Sequence, residues 1–177
     1  TTGVRNTLLG TFAGSNITSG GSNVAIGYNS LGTEDGHGFN TAVGYQTLKF
    51  LNAGADAYNV AVGYQAGLNV TTGIDNVLIG GLAGDALTDA DMNVAVGKNA
   101  LGSDTLGSMS VAIGNGALTT QNFTTATNTY NIGIGQGAGS SITTGVQNTL
   151  IGGLAGDAIT TGVDNVAVGY LSASALT

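Results

Sequence analysis

The residues that could do chemistry are few and scattered. One histidine, His37, sits in Asp35-Gly36-His37-Gly38, with Glu34 just before it. No serine, cysteine or second histidine stands in a nucleophile arrangement around it, so catalysis there is not expected. Glu34 and Asp35 could be a carboxylate pair of the glycan-cleaving kind. Adjacent residues of a strand point apart, which argues against it. Asp85, Asp89 and Asp91 could supply oxygen ligands to calcium, but they lack both EF-hand spacing and the Gly-Asp repeats of calcium-binding β-rolls. They read as a solvated acidic turn, and Asp75 and Asp164 as turn residues bonding nearby backbone. No metal site, cofactor or catalytic residue is therefore expected.

Ring-bearing residues are the better candidates. Tyr28, Tyr45, Tyr64 and Tyr170 share one repeat position and could form an aromatic strip for glycans or a receptor, or stack between neighbouring coils to cover a sheet or seam. The second reading is preferred. Tyr58 and Tyr130 close two insertions, near Phe50 and Phe123. Projecting loops are where repeat proteins place binding residues, so these four are the preferred binding candidates.

The elements that must position these residues come from a repeat. A ladder residue followed by a short apolar phrase begins at Asn6, Asn23, Asn40, Asn59, Asn76, Asn93, Ser110, Asn131, Asn148 and Asn165. The period is 17 residues, with two coils lengthened to 19 and 21. Even insertions preserve which face each side chain takes, as a strand-based coil requires. Counting the ladder residue as position zero, positions one and three are almost all β-branched. Position two is Ala or Leu except at Gly133. A strand apolar on both faces is buried on both. The β-branched face is expected to fill the coil, leaving the Ala face to need a partner, most simply another chain.

Position four is glycine in every coil: Gly10, Gly27, Gly44, Gly63, Gly80, Gly97, Gly114, Gly135, Gly152 and Gly169. Either the chain turns there with positive φ or another backbone passes too close for a Cβ. Positions eight and eleven trade volume, as in Gly84 with Leu87 against Leu31 with Glu34. This predicts one core slot per coil, and Ala173 with Leu176 belongs to the same series. The ladder Asn side chains are expected to donate to and accept from the coils above and below. Stacked coils that cannot bury their apolar faces singly make an all-β parallel β-solenoid of ten coils, one domain over residues 1–177.

Composition fits. Only 7% of the 177 residues are charged, 32 are glycine, and proline, cysteine and tryptophan are absent. Net charge is −7 with three cations, which excludes nucleic acid and anionic membranes as natural partners, and no apolar run could span a bilayer. Thr-Thr-Gly turns at Thr1, Thr71, Thr143 and Thr160 precede only four coils, so they make no continuous ice-ordering row. The opening without Met suggests a processed product or a slice of a longer chain.

Ser22-Asn23-Val24-Ala25-Ile26-Gly27-Tyr28-Asn29-Ser30 and Ser110-Val111-Ala112-Ile113-Gly114-Asn115-Gly116-Ala117 resemble the head repeats of YadA-like trimeric autotransporter adhesins. Asn40-Thr41-Ala42-Val43-Gly44-Tyr45-Gln46 is similar to repeats of bacteriophage tail fibres. The resemblance runs over essentially the whole chain, although the adhesin repeats are shorter and no neck, stalk or anchor segment is recognisable. It implies a left-handed β-roll in a side-by-side homotrimer, with the small-residue strand near the threefold axis. The function expected is a non-enzymatic structural and adhesive fibre segment, extracellular or on a cell or virion surface, attaching to a host glycan or receptor. The alternative is a self-polymerising extracellular filament whose subunits stack end to end.

Overall fold

The computed structural model describes residues 2–175. Thr1, which opens the first Thr-Thr-Gly turn, and Leu176, the expected core partner of Ala173, lie outside the described residues. Each ladder residue is followed at once by a three-residue strand: β1 (Thr7–Leu9), β2 (Val24–Ile26), β3 (Thr41–Val43), β4 (Val60–Val62), β5 (Val77–Ile79), β6 (Val94–Val96), β8 (Val111–Ile113), β10 (Ile132–Ile134), β11 (Thr149–Ile151) and β12 (Val166–Val168). These ten form one parallel sheet in chain order, equal positions paired from coil to coil. The lengthened coils keep that register, Ala42 pairing with Ala61 and Ala112 with Gly133. The added residues bulge out rather than shift the strands. Two short strands, β7 (Gly107–Ser108) and β9 (Thr127–Asn128), pair in parallel and tie the longest insertion to the coil before it. The chain is an all-β solenoid of ten stacked coils.

The sheet faces the opposite way from the sequence expectation. Position two points into the coil, where Ala25, Ala42, Ala61, Leu78, Ala95, Ala112 and Leu150 are fully buried. The β-branched residues at positions one and three point outward and stay at least partly exposed, as the pattern of β6 illustrates. The face left for a neighbour is therefore the β-branched one, not the small-residue strand. Available volume explains the reversal. Leucines and isoleucines from the turns cross the narrow interior, and in most coils only a methyl fits opposite them.

The core slot is shared three ways. Where position two is Leu, position eight is Gly: Leu8 with Gly14, Leu78 with Gly84, Leu150 with Gly156. A Cβ on Gly84 would lie 2.7 Å from Leu78 and 2.9 Å from Leu87. Gly67 and Gly139 lie in coils with Ala or Gly at position two. There the space is taken by leucines of the adjoining coils, Leu48 and Leu78 in one case and Leu118 and Leu150 in the other.

Both expectations for position four hold together. Gly97 has φ of 135°, and a Cβ there would stand 2.5 Å from the Gly114 carbonyl oxygen. Ordinary side chains also take left-handed backbone in each turn. The residue before the ladder position, position six and position eight all have positive φ, for example Met92 at 56°, Asn99 at 55° and Leu101 at 54°. Left-handed backbone costs an L-residue about 1–2 kcal/mol. The stacked coils impose it wherever the turn needs it.

Candidate functional site

Several ladder side chains, Asn59, Asn76 and Asn93 among them, clamp in one direction. The Asn76 Oδ1 accepts the Asn93 N–H at 3.0 Å, and its Nδ2 donates to the Ala90 carbonyl at 2.8 Å. Asn59 and Asn93 repeat the pattern. Both bonds run forward along the chain, 17 and 14 residues on, whereas the sequence predicts one bond to each side. Direct amide-to-amide bonds occur only late, from Asn148 to Asn131 and from Asn165 to Asn148.

Ser110 interrupts the ladder, and a buried polar network that the sequence reading missed takes over. Ser110 Oγ bonds Thr129 Oγ1 at 2.6 Å and accepts Gln121 Nε2 at 2.8 Å. Gln121 Nε2 also donates to Asp104 Oδ2, and its Oε1 accepts Asn131 Nδ2. Asp104 Oδ1 takes the N–H groups of Gly107 and Phe123. The available signal was two successive polar residues, Asp104 and Gln121, at position eleven beside the one missing ladder Asn. A cluster of substitutions at core positions indicates a shared partner set.

The tyrosines of position five behave as stacking residues. Tyr28 and Tyr45 stack with ring centroids 5.3 Å apart, and Tyr45 and Tyr64 at 5.5 Å, while Phe12 meets Tyr28 edge-on at 5.9 Å. Tyr170 lies outside this stack, beside Gly153. Of the insertion residues, Tyr58 is exposed and stacks on Phe39 at 5.0 Å. Phe50 is exposed, with Lys49 Nζ 4.5 Å over its ring, and Tyr130 is exposed. Phe123 corrects the expectation of a projecting ring. It is only 7% exposed, held by its backbone bond to Asp104, and offers no binding surface.

No protein-family model, curated protein or solved structure matches the chain. The site's chemistry is therefore read from its own geometry.

The acidic turn is engaged by its neighbours. Asp91 Oδ1 accepts the Ile74 N–H at 2.8 Å, and Asp89 accepts the Thr72 hydroxyl. Partial burial pushes the Asp85 carboxyl above its usual range, against the lowering effect of a backbone hydrogen bond. The carboxylates of Asp89 and Asp91 thus bond to the preceding coil.

Glu34, Asp35 and His37 behave differently. Expected to point apart, Glu34 and Asp35 lie between bends at Thr33 and Gly36, and one ligand atom from each of the three residues falls within 4.8 Å of the others. Glu34 Oε1 accepts the His37 N–H at 3.0 Å and lies 3.6 Å from His37 Nδ1. Glu34 Oε2 and His37 Nδ1 are buried without a hydrogen-bond partner. Asp35 is exposed. Its carbonyl accepts the N–H groups of Thr18, Ser19 and Gly20, which fixes the segment against the preceding coil.

Proposed function

We propose that the chain is a non-enzymatic structural and adhesive fibre segment, extracellular or on a virion surface, that associates side by side with copies of itself. The observation that carries this reading is the outer face of the ten-stranded sheet. Val60 and Val62, Val77 and Ile79, Val94 and Val96, and their equivalents form two continuous uncharged rows, partly or fully exposed along the whole stack. Ten strands about 4.8 Å apart and three residues wide make an apolar face of roughly 450 Å². Contiguous, mostly apolar patches of that size are often functional, and this one is continuous over all ten coils. The solenoid is regular, so the rows on a second copy have the same spacing and can interlock with them. A threefold arrangement, by resemblance to adhesin heads, covers the face in every chain. The aromatic column Tyr28, Tyr45 and Tyr64 would then be displayed in several copies, which favours multivalent attachment to a glycan or receptor.

Sedimentation equilibrium tests the assembly. The wild type is expected at a fixed mass of three chains, and Val94→Glu with Val96→Glu at one chain with its β-sheet circular dichroism intact. A wild type that stays a single chain at tens of micromolar, or an open-ended mass series, overturns the side-by-side reading; the latter result would favour end-to-end polymerisation.

A further inference from the structure

We propose that Glu34, Asp35 and His37 form a binding site for a single borderline divalent cation, of which Zn²⁺ is the type. The inference does not depend on the fibre reading.

Glu34 occupies position eleven, a core position, with a side-chain exposure of 0%. The same position is Ile17 in the coil before and Leu51 in the coil after, so the carboxylate lies in a column between two aliphatic rungs. Asp104 holds the corresponding place in a later coil and provides an internal comparison. Each carboxylate spends one oxygen on the N–H three residues on, His37 for Glu34 and Gly107 for Asp104. The second oxygen of Asp104 is taken by Gln121 at 2.6 Å, but the second oxygen of Glu34 has no partner. A buried carboxylate left in that state is strongly unfavourable, and a cation is the group that resolves it.

His37 Nδ1 supplies the second donor. At 3.6 Å from Glu34 Oε1 it is too far for a hydrogen bond, and it too is buried without a partner. One ligand atom from each of Glu34, Asp35 and His37 lies within 4.8 Å of the others, a spread that side-chain torsions can close to the edge, about 3.4 Å, of a tetrahedron of N and O ligands bound at about 2.0–2.1 Å around zinc. Asp35, exposed and between the same two bends, closes as the third ligand through its side-chain torsions, and water fills the fourth place. The frame is held from outside: the His37 carbonyl accepts Asn23 Nδ2 at 3.1 Å, and Gly38 N–H donates to Asp56 at 3.1 Å. An imidazole with two carboxylates selects zinc and its neighbours over calcium and magnesium, which prefer all-oxygen sets.

The test uses the full chain stripped with a chelator and titrated with ZnCl₂, CaCl₂ or MgCl₂. His37 is the only histidine, so its imidazole gives one set of NMR signals that reports this site alone. Expected are one zinc per chain by calorimetry, displaced His37 ring signals, and a thermal midpoint raised by Zn²⁺ but not by Ca²⁺ or Mg²⁺. His37→Gln and Asp35→Asn should each weaken binding by about tenfold or more. Glu34→Leu copies the rung at Leu51; it should fold, melt higher than the metal-free wild type, and no longer respond to zinc. Imidazole signals unmoved by tenfold excess zinc would overturn the proposal. So would binding undiminished in both Glu34→Leu and His37→Gln, or an equal response to calcium.

Discussion

Replacing Asn76 with Ala isolates what a single ladder rung contributes. The side chain is fully buried and makes two bonds to the next coil, from the Asn93 N–H and to the Ala90 carbonyl. Alanine removes the partner of both, so two buried backbone groups are orphaned. Each costs about 1–3 kcal/mol, which makes the loss roughly 2–6 kcal/mol. Against a typical total stability of about 5–15 kcal/mol this is a large fraction. In a linear array the penalty falls on one interface between neighbouring coils. Guanidinium denaturation should therefore show the loss in midpoint, and hydrogen exchange should show the Asn93 amide losing protection ahead of amides several coils away. Exposed Asn52→Ala serves as the control and should stay within about 0.5 kcal/mol of wild type. If Asn76→Ala also stays within that range, or Asn93 keeps its protection, the clamp is not what joins the coils.

Gly97→Ala combines a φ of 135° with a Cβ placed 2.5 Å from the Gly114 carbonyl oxygen, and should lower stability by more than about 3 kcal/mol. Gly54→Ala, at φ 71° with open space around it, should cost only about 1 kcal/mol in the same melting experiment. Gln121→Leu strips Asp104 Oδ2 and Ser110 Oγ of their common donor and should destabilise despite adding an apolar group to the core, by about 2 kcal/mol or more in urea. Burial raises the Asp85 pKa above 3.8, so the folded chain holds that proton more tightly than the unfolded one. Stability from this group is complete below the unfolded value and is lost as pH rises through the folded value. Asp85→Asn should accordingly melt above wild type near about pH 7, the two converging near about pH 3.

The period, the ten strands, the register across both insertions and the glycine column were all legible, because each rests on backbone geometry that repeats without regard to surroundings. The facing of the sheet was not. Val and Ile at positions one and three look like core, and Ala at position two like a packing surface for something else. What decides between them is the space already taken by Leu31, Leu48 or Leu101 inside the coil, a three-dimensional sum that no single position reveals. The pairing of Leu at position two with Gly at position eight carried that information, as in Leu78 with Gly84. The burial of Glu34 is hidden for a related reason. Polar residues at position eleven suggest solvent, yet Glu34, Asp104 and Gln121 are all enclosed. An insertion does not itself show which of its residues fold back, and Phe123 is one that does.

The ladder bonds also give the rod an order of assembly. Asn59, Asn76 and Asn93 offer both oxygen and amide toward residues that come later in the chain, 17 and 14 residues on for Asn76. A folded coil of this kind therefore presents two hydrogen-bonding groups on which the next coil docks. Contacts at such separations give a relative contact order of roughly 0.1, in the range of fast-folding helical proteins rather than slow β-sandwiches. A parallel sheet, the topology usually slowest to form, is here laid down rung by rung from the N-terminal side, each coil the template of its successor.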